Sequence, residues 1–196
     1  MSIPPLAGIA SYADAAKPGF SVEATVQRLV RYAWAEKCTM EVCLYWMNPT
    51  PEWEFKEALS LHQYLAADHA AQLRVRVSEM RNPPPRMDIS PDRQLDTFFE
   101  ELLCADDTLE KLVGLYRVLK PALLSAYQDH QDRANPLVDA PTRRILRLFI
   151  LEEEDAVHWG EAALAAVIQT EDDRQRAQAW EEHLTAYLAA AGGIND

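Results

Sequence analysis

The 196-residue sequence predicts an all-α protein: a bundle of four long helices, with a long crossover between the second and third and an extra C-terminal helix. Three observations lead there. Ala, Leu, Glu and Arg are the prominent residue types and Gly is held to 6 residues, a balance that favours helix over sheet. Apolar side chains recur in alternating steps of four and three residues over stretches long enough for several turns. Prolines cut these stretches at Pro49 and Pro51, at Pro83, Pro84 and Pro85, and at Pro136, where no helix continues comfortably.

Each element follows in order. Residues 1–20, with Pro4, Pro5 and Pro18 among small residues, read as an irregular arm. Ser21 can cap a helix from Val22 to about Met47. The second helix opens at Pro51 or Glu52 and runs to about Arg81, where Asn82-Pro83-Pro84-Pro85 ends it. Residues 82–94 form the Pro-rich crossover. Helical signal returns over Leu95–Ala105. Asp107 then caps the third long helix, to about Asp132, with Pro121 expected to kink it. Asp139 caps the fourth, with Pro141 in its first turn, to about Gln169. A last helix over Asp172–Ala191 ends at Gly192-Gly193. The expected division is an arm over 1–20, the bundle over 21–170, and a C-terminal helix and tail over 171–196, within the size of one domain with an appendage.

The net charge of −12 argues against a non-specific grip on nucleic acid and against an anionic membrane surface. No apolar run approaches the ~20 residues of a membrane span. The three cysteines, Cys38, Cys43 and Cys104, form no Cys-x-x-Cys pair, and reduced thiols in a cytoplasm are the simplest reading. A small-molecule substrate or ligand is the expected partner, with a homodimer allowed.

The stripes carry the functional signal. The first long helix presents Val22, Val26, Leu29, Ala33, Glu36, Met40, Cys43 and Met47, so Glu36 takes a place where an aliphatic residue belongs. The second presents Phe55, Leu59, His62, Ala66, His69, Leu73 and Met80. Counting outward from the turn at Pro49 places Glu36 opposite roughly residues 62–68 of the antiparallel partner. On the fourth, Glu153 interrupts Leu146, Ile150, Val157, Gly160 and Leu164. On the third, Lys120 and Tyr116 share a stripe with Leu109, Val113, Leu123, Tyr127 and His130, and Lys120 falls near the same depth. A carboxylate in a core costs several kcal/mol unless a cation answers it. Two answers stay open: a metal ion held by Glu36, His69 and Glu153, as facing helices of bundles build such sites, or a metal-free network in which Lys120 bridges the carboxylates. The acidic run Glu152-Glu153-Glu154-Asp155 otherwise reads as a solvated face with one member inward.

Three stretches carry a family likeness: PEWEFKEALSLHQYLAADHAAQLRVRVSEMR at 51–81, GLYRVLKPALLSAY at 114–127 and DAPTRRILRLFILEEEDAVHWGEAAL at 139–164. With the first long helix, roughly residues 22–168 resemble bacterial ferritin-like domain proteins, akin to the di-iron carboxylate bundles. That resemblance implies a ferritin-like bundle. In the di-iron pattern two helices each give one Glu and two give Glu-x-x-His. Glu36 matches the lone carboxylate. His69 matches the His of the first paired motif, whose Glu position is Ala66. Glu153 matches the Glu of the second, whose His position is Ala156. Lys120 stands near where a carboxylate is expected. The resemblance therefore implies at most a mononuclear, degenerate iron site, with Glu36, His69 and Glu153 as ligands. His62 is a further candidate ligand, but two turns from His69 it is better cast as lining a pocket. Glu36, Glu153, Lys120 and Tyr116 are the candidate catalytic groups. The implied function is a non-haem iron oxidase or oxygenase acting on a small organic substrate. The alternative has no cofactor: a metal-free ligand-binding or interaction protein, or an enzyme using the buried carboxylates.

Overall fold

A computed structural model describes residues 3–195 and shows an all-α four-helix bundle. The arm holds a 3₁₀ turn at Pro5–Gly8 and one helical turn, α1, at Tyr12–Ala15. Two long helices follow, α2 (Val22–Met47) and α3 (Trp53–Met80), packed along each other as an antiparallel hairpin. After the crossover come α4 (Arg93–Leu102) and α5 (Thr108–Val113), a π-helical stretch at Gly114–Leu119, and α6 (Lys120–Arg133). The fourth long helix is α7 (Ala140–Val167), and α8 (Glu171–Ala190) closes the chain. None of the described helices is long and apolar enough to cross a membrane.

Local chemistry sets the boundaries. The Ser21 hydroxyl accepts the Ala24 N–H at the start of α2, and the Asp107 carboxylate accepts the Glu110 N–H at the start of α5. Thr170 and Asp173 form a reciprocal capping box at α8. The arm is fastened at its end: the Asn135 amide donates to the carbonyls of Ala15 and Lys17. Phe20 meets the His130 ring edge-on.

The short helix α4 starts two residues earlier than its sequence signal and ends three earlier. Its Leu95, Phe98, Phe99 and Leu102 are buried, and it packs on α8, which in turn packs on α5 and the π-helical stretch. Gly114 lies where they meet, since a Cβ there would stand 2.4 Å from Leu102 Cδ1 and 3.0 Å from Leu184 Cδ1. Pro121 follows closely on the π-helical stretch at Gly114–Leu119. The wider turn of that stretch suits the proline's missing N–H, and π turns are among the usual places where helices bend. This stretch carries Tyr116 into the core and leads directly into Lys120.

The buried face of α7 is rotated from the expected stripe. Thr142, Leu146, Phe149, Glu153, Ala156, Gly160 and Leu164 are buried, while Ile150 and Val157 are only half-buried. Leu146, Glu153, Gly160 and Leu164 belong to both series, so the key residue keeps its place. Gly160 is where α7 crosses the π-helical stretch: a Cβ would meet Tyr116 Cβ and Cγ at 2.2 Å. A Gly160→Ala change ordinarily gains about 1 kcal/mol of helix propensity. Here the clash is with the rigid base of an aromatic side chain, and overpacking of this kind costs roughly 1–3 kcal/mol or more. The expected net result is a destabilised protein with a lower urea midpoint. An unchanged midpoint would show that the crossing has slack.

Candidate functional site

At mid-height of the bundle, α2, α3, α6 and α7 each bring one ionisable side chain to a common centre. Glu36, His69 and Lys120 are 0% exposed and Glu153 is 1% exposed, so every charge there must be answered by a neighbour. His69 Nδ1 lies 2.8 Å from Glu36 Oε1 and 4.0 Å from Glu153 Oε1. The Lys120 ammonium donates to Glu153 Oε1 at 2.8 Å. The Tyr127 hydroxyl donates to Glu36 Oε1 at 2.5 Å. His69 Nε2 reaches outward to Glu152 Oε2 at 2.7 Å, and the ring stacks on Phe149 with centroids 3.8 Å apart. The imidazole is therefore held on both edges and one face.

These contacts decide the charges. Burial opposes ionisation of Glu36, but the His69 charge and hydrogen bond, with help from Lys120 and Tyr127, hold it below the ordinary carboxylate range. Burial likewise works against protonated His69, and the Glu36 charge with the bonds to Glu36 and Glu152 raises it. Lys120 stays an ammonium, because Glu153 and Glu36 outweigh its burial. Glu153 is the group nearest to titration: burial, reinforced by the charge of Glu36, pushes it up to about 7 against the pull of Lys120. Burial, with Glu36 beside it, keeps the Tyr127 phenol protonated. Cys43, in the same core, is pushed up to about 12 by burial and is an inert thiol.

Glu36, His69 and Glu153 each offer one ligand atom, and the three atoms lie within 4.8 Å of one another. Ligands bonded to one ion at ~2.0–2.2 Å stand at most ~4.4 Å apart, so a small contraction suffices for a single ion. Two further features fit. Glu36 Oε2 and Glu153 Oε2 are buried without a hydrogen-bond partner. His69 also has the support typical of a metal ligand, since Glu152 can accept a hydrogen bond from Nε2–H and leave the Nδ1 lone pair facing inward. Against a second ion stand Ala66 and Ala156, both buried and without donor atoms, and the Lys120 ammonium.

His62 and Tyr116 sit apart from this cluster. His62 Nδ1 is 2.8 Å from the Tyr116 hydroxyl, and both rings pack against Trp159. His62 lines a cleft between α3 and α7. Two residues of the network were not singled out from sequence. Tyr127 stood on the stripe of Lys120, seven residues on, and that shared depth was the available signal. Glu152 was hidden in the acidic run, from which two members turn inward rather than one. Its neighbour Glu153 points into the core, and Glu152, about 100° around the helix, points toward α3.

The hydrogen bonds join into a line: Glu152 at the rim, His69, Glu36, then Tyr127 in the core. Such a line can carry a proton between the cleft and the buried phenol. No protein-family model, curated protein or solved structure matches this chain.

Proposed function

We propose that the mid-bundle cluster is a single-ion metal centre in a ferritin-like scaffold, serving a non-haem iron oxidase or oxygenase acting on a small organic substrate. The carrying observation is the arrangement of His69: Nε2 anchored on Glu152, Nδ1 turned to Glu36 and Glu153, and one unpartnered oxygen on each of those carboxylates. Glu36, His69 and Glu153 would hold the ion. Iron bound there would supply one-electron redox chemistry and activation of dioxygen. The chain's own residues do the rest. Glu152 fixes the tautomer and orientation of His69, and the Tyr127 hydroxyl donates a hydrogen bond that steadies the Glu36 carboxylate. The free thiols Cys38, Cys43 and Cys104 suit a reducing cytoplasm.

A second reading has its own observation. The Lys120 ammonium already bonds Glu153 at 2.8 Å, and a protonated His69 can donate to both Glu36 and Glu152. That metal-free state is internally neutralised and supports a ligand-binding protein or an enzyme using Glu153 for proton transfer.

Anaerobic equilibrium dialysis against ferrous iron, followed by elemental analysis, separates the two. The expected occupancy is at most one iron per chain, lost in His69→Ala and Glu36→Gln. Affinity should rise with pH, because the ion displaces the proton on Nδ1. Glu152→Ala should weaken binding roughly 10–100-fold by freeing the ring. No binding by the parent, together with none by Lys120→Met, would leave the metal-free reading standing alone.

A further inference from the structure

The cleft between α3 and α7 has a volume of about 460 Å³. That falls within the range of small-molecule sites, ~300–1,000 Å³. Its walls are apolar: Ala58, Leu61 and Leu65 from α3 and Ala156 and Trp159 from α7. All its charged lining residues are acidic. Glu54, Glu57 and Asp155 are exposed along the rim, and Glu152 stands beside them with its other contact on His69.

His62 adds a directed polar group. The side chain is 4% exposed and lines the cleft. Burial holds the Tyr116 phenol protonated, and its one partner among the described residues is His62 Nδ1. The phenol therefore donates to Nδ1, which places the ring proton on Nε2. That N–H has no partner among the described protein groups. Burial, with Lys120 nearby, pushes the His62 pKa down to about 3, so the ring stays neutral and this tautomer persists at any physiological pH. The cleft thus combines an apolar slot flanked by an indole, the unpartnered Nε2–H of a largely buried histidine, and a rim of carboxylates with no Lys or Arg among its lining.

We propose that this cleft binds a small aromatic amine: an ammonium group at the acidic rim, an aryl body against Trp159 and the leucines, and a hydrogen-bond acceptor on the ring that meets His62 Nε2–H. The charge selects a cation, the walls select an apolar body, and the buried donor selects an acceptor. That the amine is the substrate of the neighbouring centre rests on the single-ion reading above; that it binds does not.

The test titrates 4-methoxyphenethylamine into the full-length, chelator-treated protein, followed by calorimetry and tryptophan fluorescence. Phenethylamine, which lacks the acceptor, and 3-(4-methoxyphenyl)propionate, which reverses the charge, are titrated alongside. The methoxy amine is expected to bind saturably, one per chain, and the propionate not at all. Loss of the acceptor should weaken binding about 2–10-fold, the worth of one hydrogen bond. In His62→Phe that difference should vanish. The exposed-site variant Glu54→Gln/Glu57→Gln/Asp155→Asn, which leaves the core untouched, should weaken both amines several-fold and equally. Absence of saturable binding, equal binding of the propionate, or amine binding indifferent to the rim substitutions would each overturn the proposal. Amine binding that persists while dialysis finds no iron would remove the metal centre alone and leave the cleft assignment intact.

Discussion

Lys120→Met is expected to destabilise the protein by about 3–5 kcal/mol at pH 8, the usual consequence of leaving a buried carboxylate without its partner. Glu153 is 1% exposed and receives its one hydrogen bond from Lys120, while its second oxygen has none. Met matches the lysine stem in length, so packing changes little and the loss is mainly electrostatic. The effect should depend on pH with a definite sign. Glu153 titrates near 4.5 when unburied and at about 7 in the fold. Its folded pKa is therefore raised, and folding takes up a proton between those values. A carboxyl of this kind favours the folded state below its unfolded pKa and loses that contribution as pH rises through the folded one. Removing the ammonium moves the folded value higher still. The penalty should be full at pH 8 and shrink toward pH 5, where Glu153 can be neutral. Urea unfolding of parent and variant at both pH values measures this. A Lys120→Met/Glu153→Leu double variant should recover most of the loss, because an apolar pair replaces the ionic one. A penalty that stays constant from pH 5 to 8 would mean that another cation or water reaches Glu153.

The second large effect is a gain. Ala66→Glu, Ala156→His and Lys120→Glu together are expected to raise iron occupancy from at most one per chain to two. Residues 66 and 69 are one turn apart on α3, and 153 and 156 are one turn apart on α7, so each restored pair addresses the same centre. Ala66 and Ala156 are 0% and 2% exposed, which places both new donors in the core beside the existing triad. Lys120→Glu is needed because its ammonium opposes a second cation. Ala156 borders the cleft, which gives the new imidazole room. Ala66 has less, and the glutamate there should cost roughly 1–3 kcal/mol in the apo form. Iron titration with elemental analysis, and absorbance after exposure to oxygen, report the outcome. A folded triple variant that binds no more iron than the parent would show that these alanines are ordinary packing residues.

Much of this was legible in the amino acids. Glu36, His69 and Glu153 broke the apolar period of their helices, and counting from the turn at Pro49 set the first two at one depth. Lys120 was legible as the cation facing them by the same reasoning. Ile150 and Val157 were misplaced because a long helix offers more than one series of four- and three-residue steps, and both the expected and the observed series pass through Glu153. The choice between Phe149 and Ile150 as the inward residue belongs to the neighbour, since the flat face of Phe149 is what stacks on His69.

Composition, proline punctuation, caps and helical period thus determined by themselves the long helices, the crossover and the polar residues at mid-bundle. These are local properties, set by backbone stereochemistry and by the cost of leaving apolar surface in water. Tertiary structure alone decided who pairs with whom. It gave Lys120 to Glu153 and Tyr127 to Glu36, drew Glu152 inward to His69, separated His62 and Tyr116 as a pair of their own, and placed the π-helical stretch before Pro121. Those choices turn on rotations of one residue, about 100° around a helix, and on distances of a few ångströms between segments remote in sequence. Only the packing of one helix against another fixes either.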